Sequence, residues 1–362
     1  MKLTVDPKPL AELIAWAARA IPNRPTVPVL SGLLLHASDD KLTVSAFDYD
    51  ASAVATIACE VAEPGRIVAP GRLLAEVAKA LPDRLIVDLT ATDTEATIRA
   101  GRSDFTLRLL PADDYPTLPT PPEPAGTIDA HSFAAAVAQV HPATSNDDTL
   151  PMLTGIRLDT DGDQLTLAAT DRYRIAVTDT TWNPTAGPIS AMIPGRHLHD
   201  IVKGLGNGPV QLAINDSMAA FTTSDRQSTV RLLDEQFIDY RARVAMDTTI
   251  TATVDAPALA AAVKRVGLVA DRKTGTAIRL AFTDGEVTLR AGGDDIGRGN
   301  ETLDSALDGE PIEIAFQSGF LLDALGAIPG KARIGMTEPN KPALFSSEDG
   351  SHKQLVMALR LS

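Results

Sequence analysis

Short alternations of apolar and polar residues recur along the chain at intervals close to one-third of its 362 residues. Gly32-Leu33-Leu34-Leu35-His36 is followed 123 residues later by Gly155-Ile156-Arg157-Leu158-Asp159, and 122 later again by Ala277-Ile278-Arg279-Leu280-Ala281. Each runs through an acidic turn into a second alternating stretch. These are Ser38-Asp39-Asp40-Lys41-Leu42-Thr43-Val44, Asp161-Gly162-Asp163-Gln164-Leu165-Thr166-Leu167 and Thr283-Asp284-Gly285-Glu286-Val287-Thr288-Leu289. A period of two around Asp and Gly predicts three β-hairpins.

Helical periodicity recurs with them. Asp6, Asp129 and Asp255 each precede an amphipathic stretch, as N-caps do, and Pro7 suits a first helical position. The stripes are Leu10, Leu13, Ile14, Ala17 and Ile21; Phe133, Val137 and Val140; and Leu259, Val263 and Val266. A second helix in each set begins at Pro70-Gly71-Arg72, Pro194-Gly195-Arg196 and Gln317-Ser318-Gly319. Each set closes on a strand pattern ending near residues 110, 233 and 359. The proline-rich stretch 116–124 reads as an extended linker, and a second boundary falls near 246–251. The expectation is an α+β chain of three repeated domains, 1–125, 126–248 and 249–362, each with two helices packed on antiparallel sheet. Repeats that each present two helices build a common surface.

The formal net charge is −14, with charged residues at 22% and aromatics at 4%. That balance argues against coating nucleic acid by bulk attraction, and the few aromatics argue against a base-stacking platform. Position refines this. The six predicted helical stretches carry +4 together, which leaves −18 on strands and loops. A weakly basic helical face with an acidic exterior fits loose contact with a phosphate backbone. No apolar run approaches membrane-spanning length, and the N-terminus lacks a signal-peptide pattern, so a cytoplasmic protein is expected.

Catalytic, metal and cofactor motifs are not found. The glycine-rich Gly204-Leu205-Gly206-Asn207-Gly208 ends a helix instead of opening one. A calcium loop from Asp159 would have Gln164 at position six and Thr170 at position twelve, so a hairpin turn is expected. His197 and His199 point about 200° apart on a helix and cannot share a metal from one face. Cys59, the one cysteine, lies in an apolar run and reads as a small buried hydrophobe.

Several segments resemble one family. Asn23-Arg24-Pro25-Thr26-Val27-Pro28-Val29-Leu30, Thr170-Asp171-Arg172-Tyr173-Arg174, Phe237-Ile238-Asp239-Tyr240-Arg241 and Met357-Ala358-Leu359-Arg360-Leu361 are similar, in order, to the bacterial DNA polymerase III beta subunit family of sliding clamps. The stretches 148–155 and 341–344 resemble actinobacterial members. The resemblance implies a non-catalytic processivity factor, a head-to-tail homodimer closed as a ring around duplex DNA. It implies Arg24, Arg72 and Arg196 as DNA contacts, with Asn146, and helix position adds Lys264 and Arg265. Leu268 and Val269 match the family's dimer interface.

The resemblance also implies a hydrophobic pocket for short linear peptides of the replicative polymerase, the clamp loader, repair polymerases and ligase. Carried over by position, it comprises Leu153, Thr170, Arg172, Tyr173, Arg174 and Ile175, then Ile238, Arg241, Gln317 and Phe320. Lys341, Pro342, Ala343, Val356, Met357, Ala358, Leu359 and Arg360 complete it. Three features depart from the family: proline is usual where Ile238 and Ala358 stand, its loss loosening and reshaping the rim, and the tail lacks the usual tyrosine near Gln354. A specialised second clamp that tolerates clamp-binding peptide antibiotics is therefore an alternative. An enzyme on a repeated α+β scaffold is a further one.

Overall fold

The computed structural model describes residues 1–270, 277–293 and 297–360, so Leu361 of the terminal motif lies outside the described residues. Eight α-helices occur among them: α1 (Pro7–Ala17), α2 (Gly71–Ala80), α3 (Ala130–Val140), α4 (Pro151–Thr154), α5 (Gly195–Val202), α6 (Tyr240–Val244), α7 (Ala256–Val266) and α8 (Ser318–Gly326). The six longer ones are the predicted pairs. The short α4 and α6 were not anticipated, because one turn carries too little periodicity to register. The first helix stops at Ala17 and continues as a 3₁₀ turn, Ala18–Ala20, short of the stripe's last residue, Ile21. Asp255 caps α7 through the Ala258 N–H at 2.8 Å, whereas the Asp6 side chain makes no such bond. The Gln317 side chain caps α8 through the Phe320 N–H at 2.9 Å.

All three predicted hairpins form. Gly32–Ser38 pairs with Lys41–Phe47, Gly155–Asp161 with Gln164–Thr170, and Ala277–Thr283 with Glu286–Gly293, each antiparallel. Asp39 and Asp40, Gly162 and Gly285 take the positive φ that these tight turns need.

Two compact units divide the chain. The first holds Met1–His131, Asn183–Gly187 and Asp200–Leu232; the second holds Ser132–Trp182, Pro188–His199 and the chain from Leu233 onward. In the first, α1 and α2 bury Leu10, Leu13, Ile14, Leu74 and Val77 against strand residues such as Leu33, Leu35, Val44 and Ile98. In the second, α7 and α8 bury Leu259, Val263, Leu321 and Leu325 against Ile278, Leu280, Phe316 and Phe345.

Sheets run through the repeat junctions. In the first unit, Arg226–Arg231 of the second repeat pairs antiparallel with Ala51–Ala58 of the first. A buried bond between the Ser52 and Thr229 hydroxyls, 2.6 Å, fastens the pair. In the second unit, Arg174–Thr181 of the second repeat pairs antiparallel with His352–Val356 of the third. The last strand of one repeat thus joins the strand that follows the hairpin of the repeat before it. Two strands of these types stay at sheet edges: Ser103–Arg108, the last strand of the first repeat, and Gly297–Asp304, which follows the hairpin of the third.

Candidate functional site

A groove of about 310 Å³ opens on the second unit beside the junction of Arg174–Thr181 with His352–Val356. Its lining is Met152, Leu153, Thr170, Arg172, Tyr173, Arg174, Ile175, Ile238, Arg243, Pro342, Leu355 and Met357. Leu153, Ile175 and Leu355 are buried, while Tyr173 and Met357 stand exposed at the rim. That volume is at the lower end for small-ligand sites, and mostly apolar walls with a few fixed polar groups suit one or two apolar side chains of a guest.

The loop between Gln164–Thr170 and Arg174–Thr181 sets the geometry. The Asp171 carboxylate accepts the N–H groups of Tyr173 (3.0 Å) and Arg174 (3.1 Å), an Asx turn built from its own sequence. The Thr170 hydroxyl donates to the Arg174 carbonyl at 2.7 Å. Arg172 holds φ at +80°, a region that side-chain-bearing residues rarely occupy.

Arg174 is the pivot. Its side chain is 8% exposed. Nε donates to Asp171 at 3.0 Å, Nη1 to Asp323 of α8, and Nη2 to the Pro142 carbonyl. The guanidinium also lies 4.6 Å from the centre of the Phe320 ring, which stacks on Tyr173 at 5.8 Å. A planar fork spreads its donors over three nitrogens and so reaches separated acceptors that a single ammonium nitrogen cannot reach together. The C-terminal segment closes the far wall: the Met357 N–H donates to the Tyr173 carbonyl at 2.9 Å, and that of Leu359 to Ala315 at 2.7 Å.

Behind α6 lies a second polar knot. The buried Asp159 carboxylate accepts from Ser190 Oγ (2.6 Å), Arg157 Nε (2.9 Å), Tyr240 OH (2.9 Å) and Arg241 (3.4 Å). Burial alone would push Asp159 upward, but the Ser190, Tyr240 and Arg157 bonds hold it below its ordinary range. Tyr240 shifts up, through burial and then its bond to Asp159. Asp159, considered above as the start of a calcium loop, instead anchors α6 to the strand Gly155–Asp161. No cluster of three or more His, Cys, Asp or Glu suited to a metal occurs among the described residues.

Of the pocket residues inferred from the sequence, Leu153, Thr170, Arg172, Tyr173, Arg174, Ile175, Ile238, Pro342 and Met357 line the groove. Phe320 stacks behind Tyr173, and Gln317 caps α8. Ala343 and Val356 pair across their strands and are fully buried in the third repeat's core. Lys341, Leu359 and Arg360 are exposed and Ala358 half-buried, outside the lining. Arg241 lies over the Tyr240 ring and lines a separate depression of about 190 Å³. Met152, Arg243 and Leu355 line the groove but were missed by sequence. Two had a signal. Strand alternation puts Leu355 on the face opposite Val356, with Met357. On α6, Tyr240 and Val244 face inward, which sends Arg241 and Arg243 to opposite flanks, about 160° apart.

The residues inferred to meet DNA are all exposed. Arg24 lies in the loop before the 3₁₀ turn Pro28–Ser31. Arg72 on α2 donates to the Asn23 side chain at 2.8 Å. Asn146 lies in the loop before α4, Arg196 in the first turn of α5, and Lys264 near the end of α7. Arg265 forms a two-pronged pair with Glu301 on the edge strand Gly297–Asp304, so its charge is already matched. Leu268 is 84% exposed on the 3₁₀ turn Gly267–Val269, and the half-buried Val269 lies against Gly297 and Gly299 of that same strand. No helix among the described residues is long and apolar enough to cross a membrane.

Three family signatures match the chain in succession: "DNA polymerase III beta subunit, N-terminal domain" over residues 1–119, "central domain" over 127–239 and "C-terminal domain" over 245–360. The beta sliding clamp of Streptomyces coelicolor is 42% identical, with 100% of both chains covered. The beta sliding clamp homolog GriR of Streptomyces muensis is 38% identical over 99% of each. Among solved structures, the DnaN sliding clamp of Pseudomonas aeruginosa bound to griselimycin matches over 100% of both chains, with a TM-score of 0.94 and 26% identity.

Proposed function

The chain belongs to the DNA polymerase III beta subunit family, the beta sliding clamps, and from that premise we infer how it works as a processivity factor. Two copies close head to tail around duplex DNA. Each ring then carries docking grooves for the replicative polymerase, the clamp loader, and repair polymerases and ligase. It works in the cytoplasm and has no chemistry of its own: retention is topological.

One observation carries the ring. The last strand of the second repeat pairs with the post-hairpin strand of the first, and the last strand of the third with that of the second. The same rule applied once more would pair Ser103–Arg108 of one copy with Gly297–Asp304 of the next, the two strands of these types left at sheet edges. Unpaired edges are templates for further pairing. Leu268, exposed beside the second edge, becomes the apolar anchor of that contact, with Val269. The repeats 1–125, 126–248 and 249–362 are then equivalent steps around the ring. Arg24, Arg72, Arg196, Lys264 and Asn146 supply loose phosphate contacts without base readout, as sliding requires. The test is primer extension by the replicative polymerase with its loader. Products lengthened only when this protein is present support the assignment; unchanged product length contradicts it.

A second reading is favoured by Ile238 in the groove wall, where the family usually has proline. A chain with this rim would be a specialised copy that tolerates clamp-binding peptide antibiotics. Calorimetry with griselimycin decides it: affinity equal to that of an ordinary clamp rejects the specialised copy.

A further inference from the structure

We propose that the groove selects acidic peptides, with Arg172 and Arg243 taking carboxylates that flank the guest's apolar anchor. This rests on the groove being a peptide site. Among the described residues, three arginines and no carboxylate line it, in a chain of net charge −14. Arg174 is spent on Asp171, Asp323 and the Pro142 carbonyl. Arg172 and Arg243 are exposed, and neither has an ion pair within 4 Å among the described residues. The carboxylate that senses Arg172 is Asp147, which is held low chiefly by its bonds to the Thr149 hydroxyl and N–H. Lys341 and Arg360 are also exposed, one next to the lining residue Pro342 and the other three residues beyond Met357.

Arg172 adds an independent sign. Its φ of +80° is costly for any residue with a Cβ and would be free of strain for glycine. Strain kept at a groove rim points to a side chain that is used there. Rim arginines meeting carboxylates act on partner choice and association rate more than on total affinity, and salt weakens them. Each exposed pair contributes about a twofold to fivefold effect, so two give about tenfold.

The test uses the full-length protein and three labelled nonapeptides that share one Leu–Phe anchor, flanked by Asp, Asn or Lys. Anisotropy titrations are run at about 50 mM and about 500 mM salt. The Asp peptide should bind about tenfold tighter than the Asn peptide at low salt, and the Lys peptide weakest, with the gaps shrinking to under about twofold at high salt. The double variant Arg172→Glu with Arg243→Glu should reverse the order. Equal binding of all three peptides by the unaltered protein overturns the acidic selection and leaves the peptide groove standing. No binding of any peptide overturns the groove reading itself. A thymidine oligonucleotide that displaces the Asp peptide would assign the arginines to phosphate and also overturn the proposal.

Discussion

Replacing Arg174 with alanine tests whether one buried guanidinium holds the groove together. The side chain is 8% exposed and its partner Asp171 13%, whereas Asp323 is 41% exposed. Breaking a buried pair costs about 3–5 kcal/mol because the remaining charge is stranded. Asp171 keeps two backbone N–H donors, which places its loss near the lower end. The exposed Asp323 contact adds no more than about 0.5 kcal/mol after solvent screening. The Pro142 carbonyl loses a donor worth about 1 kcal/mol. The sum is about 3–4 kcal/mol, or about 1 M in urea midpoint for a unit of this size. The assay is urea unfolding followed by Trp182, which is buried in the second unit, in a Trp16→Phe background that silences the first. Arg174→Lys should recover part of the loss, since one ammonium cannot reach acceptors on three sides. A loss below about 1 kcal/mol for alanine would refute the pivot.

His352 is fully buried, its Nδ1 2.7 Å from the Thr178 hydroxyl, and burial lowers its pKa from 6.5 to about 4. The unfolded chain therefore takes up a proton before the native one does. Stability is full above about pH 6.5 and falls by about 3 kcal/mol toward pH 4, and His352→Gln should remove that slope in melts across the range. Leu268→Asp places a charge in the inferred contact, so its sedimentation mass should fall toward the single-chain 38.2 kDa; an unchanged dimer would count against that edge. The triple change Arg24→Ala, Arg72→Ala and Arg196→Ala should weaken loader-dependent retention on DNA without moving the melting midpoint, because all three side chains are exposed.

The three hairpins and six long helices were legible because each carries its own period and its own turn or cap residues. Asp and Gly in the turns, Pro70 and Pro194 ahead of α2 and α5, and the Gln317 cap ahead of α8 are local signals. The helix ends were less legible: Ile21 continues the apolar stripe, but the helix gives way to a 3₁₀ turn after Ala17. The groove was half legible. Residues next to one another in the loop 170–175 fell into place together, since one Asx turn fixes them all. Leu355 lines the groove where Val356 does not, a shift of one residue along a strand, and Arg243 where Arg241 does not, a shift of two along a short helix; each shift turns the side chain to another face. The Arg174 knot had no local signal: its partners lie 3, 32 and 149 residues away. Asp159 looked like a turn residue for the same reason, because its partner Tyr240 is 81 residues distant.

The central claim is enclosure of DNA by a closed ring, and retention on DNA of different topology tests it most directly. The protein is loaded onto nicked circular plasmid, passed through a sizing column, and the bound fraction is compared before and after a single restriction cut. The account predicts that the protein stays with the circle and runs off once the plasmid is linear, with little dependence on salt while the circle is intact. Equal retention on circular and linear DNA would contradict it.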